Sequence, residues 1–306
     1  MHKLSTTGVT RGTLLHRAAL ASIATAIGLI TLKIVAIYLT GSTALLGSFL
    51  DSLLDAGASI INLIAIRHAL EPADYEHRFG HGKAEALAGL AQSAFIMVSA
   101  GLLIWRAVVQ ILHPTPIAHT NIGIAVTLIS IVATILLVRY QKRIVAETHS
   151  TAIKADSLHY ASDLLLNIAV LIALAGSTWL AIPLLDPVLA IGIAGWIAWG
   201  ASQIIFTSAE ELMDRELPTD EREKIRTLAL ADPRALDVHD LRTRRAGHRI
   251  FVEIHLEMNR HLSLLEAHAI AESAMHRIKK EFPAAEVIIH QDPEGIIEER
   301  QAIQEI

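Results

Sequence analysis

The 306-residue sequence predicts a membrane bundle of six transmembrane α-helices followed by a C-terminal cytoplasmic α/β domain with the element order αββαβ. Three observations predict it. The chain is 52% hydrophobic and 19% charged, with a mean hydropathy of +0.44, too apolar for an ordinary soluble protein of this length. The apolar residues fill positions 14 to 208, whereas Asp, Glu, Arg, Lys and His dominate from Glu210 onward. Six stretches reach the roughly 20 residues that a helix needs to cross the hydrocarbon core. The expected division is a membrane domain over 1–209 and a soluble domain over 210–306. The second, of about 95 residues, is large enough to bury its own core, especially as a dimer.

The six stretches are residues 14–39, 42–70, 84–112, 118–140, 150–178 and 183–207. The N-terminal segment has Lys3, Arg11 and Arg17, positive charges placed as in a signal peptide, but the apolar run is long and further spans follow, so it reads as a retained helix. The second-to-third connection carries Arg67, Arg78 and Lys83, and the fourth-to-fifth carries Arg139, Lys142, Arg143 and Lys154. Those near Gly41 and from Ser177 to Pro183 have no Lys or Arg. Positive loops mark the cytoplasmic side, which predicts an inner-membrane protein with both termini in the cytoplasm.

In the tail, "TDEREKIRTLALA" reads as a helix with Thr219 as N-cap and acids in its first turn. "ALDVHDLRTRRAGHRIFVEIHLEM" reads as two strands around a turn at Ala246 and Gly247, with Ile250, Val252, Ile254, Leu256 and Met258 on one face. "SLLEAHAIAESAMHRIKKEF" is an amphipathic helix, and "AEVIIHQDP" is a strand stopped by Pro293. This order gives a small sheet with helices on one face.

Cysteine is absent, which excludes disulfides, thiolate ligands and a nucleophilic thiol. Metal chemistry must then use His, Asp and Glu. No basic patch points to nucleic acid.

The second stretch holds Asp51 and Asp55, spaced i, i+4 and so on one side of a helix, with Ser48, Ser59 and Asn62 extending the stripe. A carboxylate at bilayer depth is expensive and normally faces a cavity, a partner or an ion. The fifth stretch repeats the device with His159 and Asp163. Together they offer three carboxylates and an imidazole, a set suited to tetrahedral Zn²⁺ or a similar divalent ion.

Here the chain resembles the cation diffusion facilitators, in particular bacterial zinc, cadmium and ferrous-iron efflux transporters. The resemblance runs through "DSLLD", "PADYEHRFGHGKAEALAGLAQS", "HYASD", "HDLRTR", "IHLEM" and "HQDP". It implies a homodimeric, proton-coupled antiporter with six spans and a cytoplasmic domain of metallochaperone-like fold. Its transport site maps onto Asp51, Asp55, His159 and Asp163, and a loop site onto Asp74, His77 and His81. A cytoplasmic metal cluster maps onto His239, His255, His268, His290, Gln291 and Asp292. An inter-domain charge pair maps onto Lys83 and Asp214. Strand alternation supports the cluster, since His255 lies opposite Ile254 and Leu256, and His290 opposite Ile289.

One His with three Asp suits Zn²⁺ and, through the family, Cd²⁺, while Fe²⁺, Co²⁺ and Mn²⁺ fit the same donors. The competing readings are an intramembrane metalloenzyme and a passive metal channel. The chain has no HExxH helix and no Ser or Cys nucleophile arrangement, and a single closed four-ligand site suits a carrier better than a pore.

Overall fold

The computed structural model describes residues 6–40, 43–113, 121–179 and 185–296. Lys3, Gly41, positions 118–120 and 180–183 lie outside the described residues, as do the side chains of Ser48 and Asp51. The chain divides into two compact units, Arg11–Ala209 and a second formed by Met1–Thr10 with Glu210–Ile306.

The first unit is helical: α1 (Thr6–Thr40), α2 (Thr43–Ala69), α3 (Lys83–Leu112), α4 (Asn121–Thr148), α5 (Thr151–Trp179) and α6 (Leu185–Leu212). Among the described residues, the stretches Arg11–Leu39, Lys83–Leu112, Ile122–Thr148 and Pro187–Leu212 are long and apolar enough to cross a bilayer by composition alone. The remaining long helices, α2 and α5, carry the predicted acids. Packing departs from that of a soluble core, although Leu15, Ile66, Ile153 and Ile204 are fully buried. Small residues such as Ala18, Ala19, Ala100, Ala194 and Ala201 are buried at the helix contacts, while Ile27, Leu54, Trp105, Leu136 and Phe206 point outward. Lipid is as apolar as Leu, so burying large apolar groups gains little, and close approach of small residues holds the helices together. At Gly89 a Cβ would stand 3.2 Å from the Thr151 backbone and 3.1 Å from Ser208 Oγ, so the glycine lets α3 approach α5 and α6 closely.

The second unit follows with α7 (Thr219–Ala229), β1 (Ala235–Ala246), β2 (Arg249–Met258), α8 (Leu264–Glu281) and β3 (Ala285–Pro293). The sheet order is β1-β2-β3; β1 and β2 pair antiparallel around Gly247, while β2 and β3 pair parallel across α8. A parallel pair requires such a crossover. The predicted apolar face of β2 is buried against Ile270, Ala274 and Ile278 of α8 and Ile225 of α7.

Helix starts differ in one respect from expectation. Ser263 and Glu266 form a capping box on α8. Thr219, by contrast, is the first residue of α7, and Pro218 takes the cap position without a side-chain bond. Proline, with φ fixed near its −51° here and ψ at 148°, already supplies the extended boundary. The acids Asp220 and Glu221 then face the positive end of the helix dipole.

Candidate metal centres

On α5, His159 and Asp163 are one turn apart and face α2. His159 Nε2 lies 2.9 Å from Asp55 Oδ1 and 3.9 Å from Asp163 Oδ2, and the imidazole residue is only 8% exposed. Ligand atoms of all three residues fall within 4.8 Å of one another. Asp51 stands one turn before Asp55 on α2, with its side chain outside the described residues. A bond between Ser59 Oγ and Tyr160 Oη, 2.9 Å, fixes the two helices beside the centre. The rings of Phe95 and Tyr160 present their edges to His159. From α1, Lys33 Nζ donates to Ser52 Oγ at 2.6 Å, placing a buried amino group against α2.

One turn before His159, Asp156 is fully buried and bonded from three other helices. Ser22 Oγ of α1 and Gln141 Nε2 of α4 donate to Oδ2 at 2.6 Å each, and Gln92 Nε2 of α3 donates to Oδ1 at 3.1 Å. Sequence spacing did not single it out, because its partners are scattered over about 120 residues of chain.

In the α2–α3 connection, Asp74 Oδ1 accepts the backbone N–H groups of His77 at 2.5 Å and Glu76 at 2.9 Å. The His77 N–H, more than the Glu76 N–H or the neighbouring imidazoles, holds the Asp74 carboxyl below its ordinary 3.8. His77 Nδ1 and His81 Nε2 each lie 3.4 Å from an Asp74 oxygen. The three predicted loop residues therefore converge.

The cytoplasmic cluster is a row across the sheet. His239 of β1 pairs in register with His255 of β2, and His255 with His290 of β3. Asp292, two residues along β3 and buried, meets all three. His255 Nδ1 is 2.9 Å and His239 Nε2 3.2 Å from Oδ2, and His290 Nε2 is 3.1 Å from Oδ1 without hydrogen-bond geometry. His239 Nδ1 and Asp292 Oδ1 are buried without hydrogen-bond partners, a donor set that fits a divalent ion. Gln291 is half-buried beside Asp292, and His268 lies on the exposed face of α8. One further carboxylate joins: Asp240, with φ of 47°, sits in the register break between His239 and Arg242 and falls within ligand distance of His239 and His255. Regular alternation would turn it to the opposite face, so only the bulge reveals it.

Lys83 opens α3 and Asp214 follows α6; within the second unit, Arg244 Nη1 lies 3.4 Å from both Asp214 oxygens.

Among the described residues, six long helices, a sheet-bearing tail and His–Asp clusters in both units mark a multi-pass membrane protein with side chains that could hold metal cations. Residues 19–213 match the cation efflux transmembrane domain, and residues 217–294 match the cytoplasmic domain of cation efflux proteins. The first match includes α2 and α5. The chain is 50% identical over 279 residues to a Shewanella oneidensis protein named cation-efflux pump FieF, covering 90% of this chain and 93% of that one. Proteins of the same name from Klebsiella pneumoniae and Yersinia pestis are 44% and 46% identical over 286 residues, covering 94% and 93% of this chain and 95% of each relative. The chain belongs to the cation efflux family; it is a membrane transporter and not an enzyme.

Proposed function

We propose that the chain exports divalent transition-metal ions, Zn²⁺ foremost with Cd²⁺ and Fe²⁺ as further cargo, in exchange for protons by alternating access. The observation that carries this is the meeting of His159 with Asp55 and Asp163 between two membrane helices. One imidazole with hard carboxylates suits Zn²⁺, and Co²⁺ or Mn²⁺ fit less selectively. Asp51 completes the set as the fourth ligand. Metal ligands bind deprotonated, so loading releases protons and protonation expels the ion. An imidazole, whose ordinary pKa is about 6.5, is the natural coupling group.

The membrane domain, 1–209, carries the transport site in the inner membrane, and the 210–306 domain senses metal in the cytoplasm, where both termini lie. The loop site of Asp74, His77 and His81 collects ions on that side. In the homodimer, the His239, His255, His290 and Asp292 row, with Gln291 and with His268 added, binds regulatory metal and stabilises one subunit arrangement. Lys83 and Asp214 form the charge pair between domains; reversal of both charges restores transport that either single reversal removes.

Proteoliposomes provide the test. Zn²⁺ counterflow against its gradient, accelerated by an imposed pH gradient, is the expected result. Flux that only runs down the metal gradient identifies a passive channel, and indifference to pH removes the proton exchange.

A further inference from the structure

The loop set does not stand alone. At the C-terminal end of α2, His68 Nδ1 and Glu71 Oε2 meet at 2.8 Å, and both residues lie within ligand distance of His81. The His81 ring stands between two others, with its centroid 4.5 Å from that of His68 and 4.5 Å from that of His77. His81 is the buried member: its side chain is 6% exposed, against about half for His68, Glu71, Asp74 and His77. Its Nε2 faces Asp74, and its Nδ1 is buried with no hydrogen-bond partner. A buried ring nitrogen left without a partner calls for an explanation, and a metal ligand is one. His68 and Glu71 alone read as an i, i+3 pair at a helix end, where an imidazole also favours the dipole. That reading accounts for neither the third ring nor the orphan nitrogen.

We propose that His68, Glu71 and His81 form a second divalent-cation set that shares His81 with Asp74 and His77. A neutral imidazole has one lone-pair nitrogen, so His81 serves one ion at a time. The two sets are alternatives, and an ion moves between them by exchanging one pair of exposed ligands for the other. In the second pair His68 lies in the last turn of α2, the helix that carries Asp55 thirteen residues earlier, about 20 Å along its axis, and Glu71 follows just past its end. Occupancy of that set therefore ties an ion in the connection to the helix that holds the transport centre. This rests on the reading of the α2–α3 connection as a metal site.

The test is the number of Zn²⁺ ions bound per protomer by the full-length protein in detergent, from equilibrium dialysis with Zn²⁺ alone. The four substituted positions are exposed, and unchanged melting confirms folding. The native count is expected to persist in Asp74→Ala/His77→Ala and in His68→Ala/Glu71→Ala, each with weaker affinity. The fourfold variant, and His81→Ala, each lose one ion. Loss of one ion in the first double variant, with no further loss in the fourfold one, overturns the second set. Loss of one ion in each double variant, and two in the fourfold variant, shows separate sites and overturns the sharing of His81. Loss of one ion in the second double variant alone makes His68 and Glu71 indispensable and overturns the alternation. A fourfold variant with the native count removes the loop site itself.

Discussion

Replacing Asp156 with Ala tests how α5 is held. The carboxylate is the common acceptor for Ser22, Gln92 and Gln141, so one substitution strips a bond from each of α1, α3 and α4. The losses are unequal. Ser22 Oγ still has the Ala18 carbonyl at 3.2 Å, and Gln141 Nε2 still has Ser22 Oγ at 2.9 Å, whereas Gln92 Nε2 is left with no alternative bond among these. One stranded buried donor costs about 1–3 kcal/mol, and two weakened bonds add about 0.5–1 kcal/mol each. The expected destabilisation is about 2–5 kcal/mol, or a melting temperature lower by about 4–20 °C for a unit of roughly 200 residues. Thermal challenge of the detergent-solubilised protein followed by size-exclusion chromatography measures it. Asp156→Asn is expected to lose less than half as much. Its amide keeps an oxygen for Gln92, and the buried Oε1 of Gln141, otherwise without a partner, can turn to accept from it. Zn²⁺ binding at the neighbouring centre also weakens in the Ala variant, because His159 rides on the same helix turn. An Ala variant that melts within about 2 °C of the native protein would refute the idea that this network positions α5.

Three further outcomes are expected. His159→Asp, an all-oxygen set, lowers the preference for Zn²⁺ over Mn²⁺ in proteoliposome transport by at least tenfold, about 1.4 kcal/mol. Alanine at both His255 and His290 flattens the dependence of flux on cytoplasmic metal while leaving flux itself, read in the same vesicles. In the cytoplasmic unit, hydrogen bonds from the Arg234 side chain and N–H lower the Asp232 pKa from 3.8 to about 2. A depressed carboxylate stabilises the fold above about pH 4, and that contribution disappears as pH falls through about 2. Asp232→Asn therefore melts earlier than the native protein at pH 7, and the gap closes between pH 4 and 2, followed by circular dichroism.

Legibility in the sequence tracked how local each signal is. The long helices are written in apolar runs, and the β2 core in strict alternation. The pairing of His159 with Asp55 was readable because each helix repeats one i, i+4 device. In the cytoplasmic unit, alternation placed His255 and His290 on one face, but the alignment of His239, His255 and His290 in one row depends on strand register, which alternation does not set. Asp240 was hidden because a bulge reverses the side it faces. His68 and Glu71 were hidden for another reason: the chain bends back from the end of α2, and His81, ten residues on, returns beside them only in three dimensions. Thr219 misled because a Ser or Thr before acids reads as a cap, while the proline preceding it had already set the boundary.

The same helix, α5, carries two carboxylates, Asp156 and Asp163, in different surroundings. Asp156 receives bonds on both oxygens from three helices, so its burial is compensated within the protein and needs nothing further. Around His159 the balance shifts. Its Nε2 bonds to Asp55 at 2.9 Å, while Asp163 Oδ2, at 3.9 Å from the same nitrogen, is beyond hydrogen-bond reach of it. A single imidazole thus faces two carboxylates, and Asp51 precedes Asp55 by one turn on α2. On the proposed function, a centre of carboxylates and one imidazole is balanced by positive charge, a divalent ion in one state and protons in the other. Asp156 thus ties α5 to three other helices, while Asp55 and Asp163 are the proposed cargo ligands. Asn at Asp156 should therefore change stability more than metal selectivity, and Asn at Asp55 the reverse, with Zn²⁺ flux falling while the melting temperature holds.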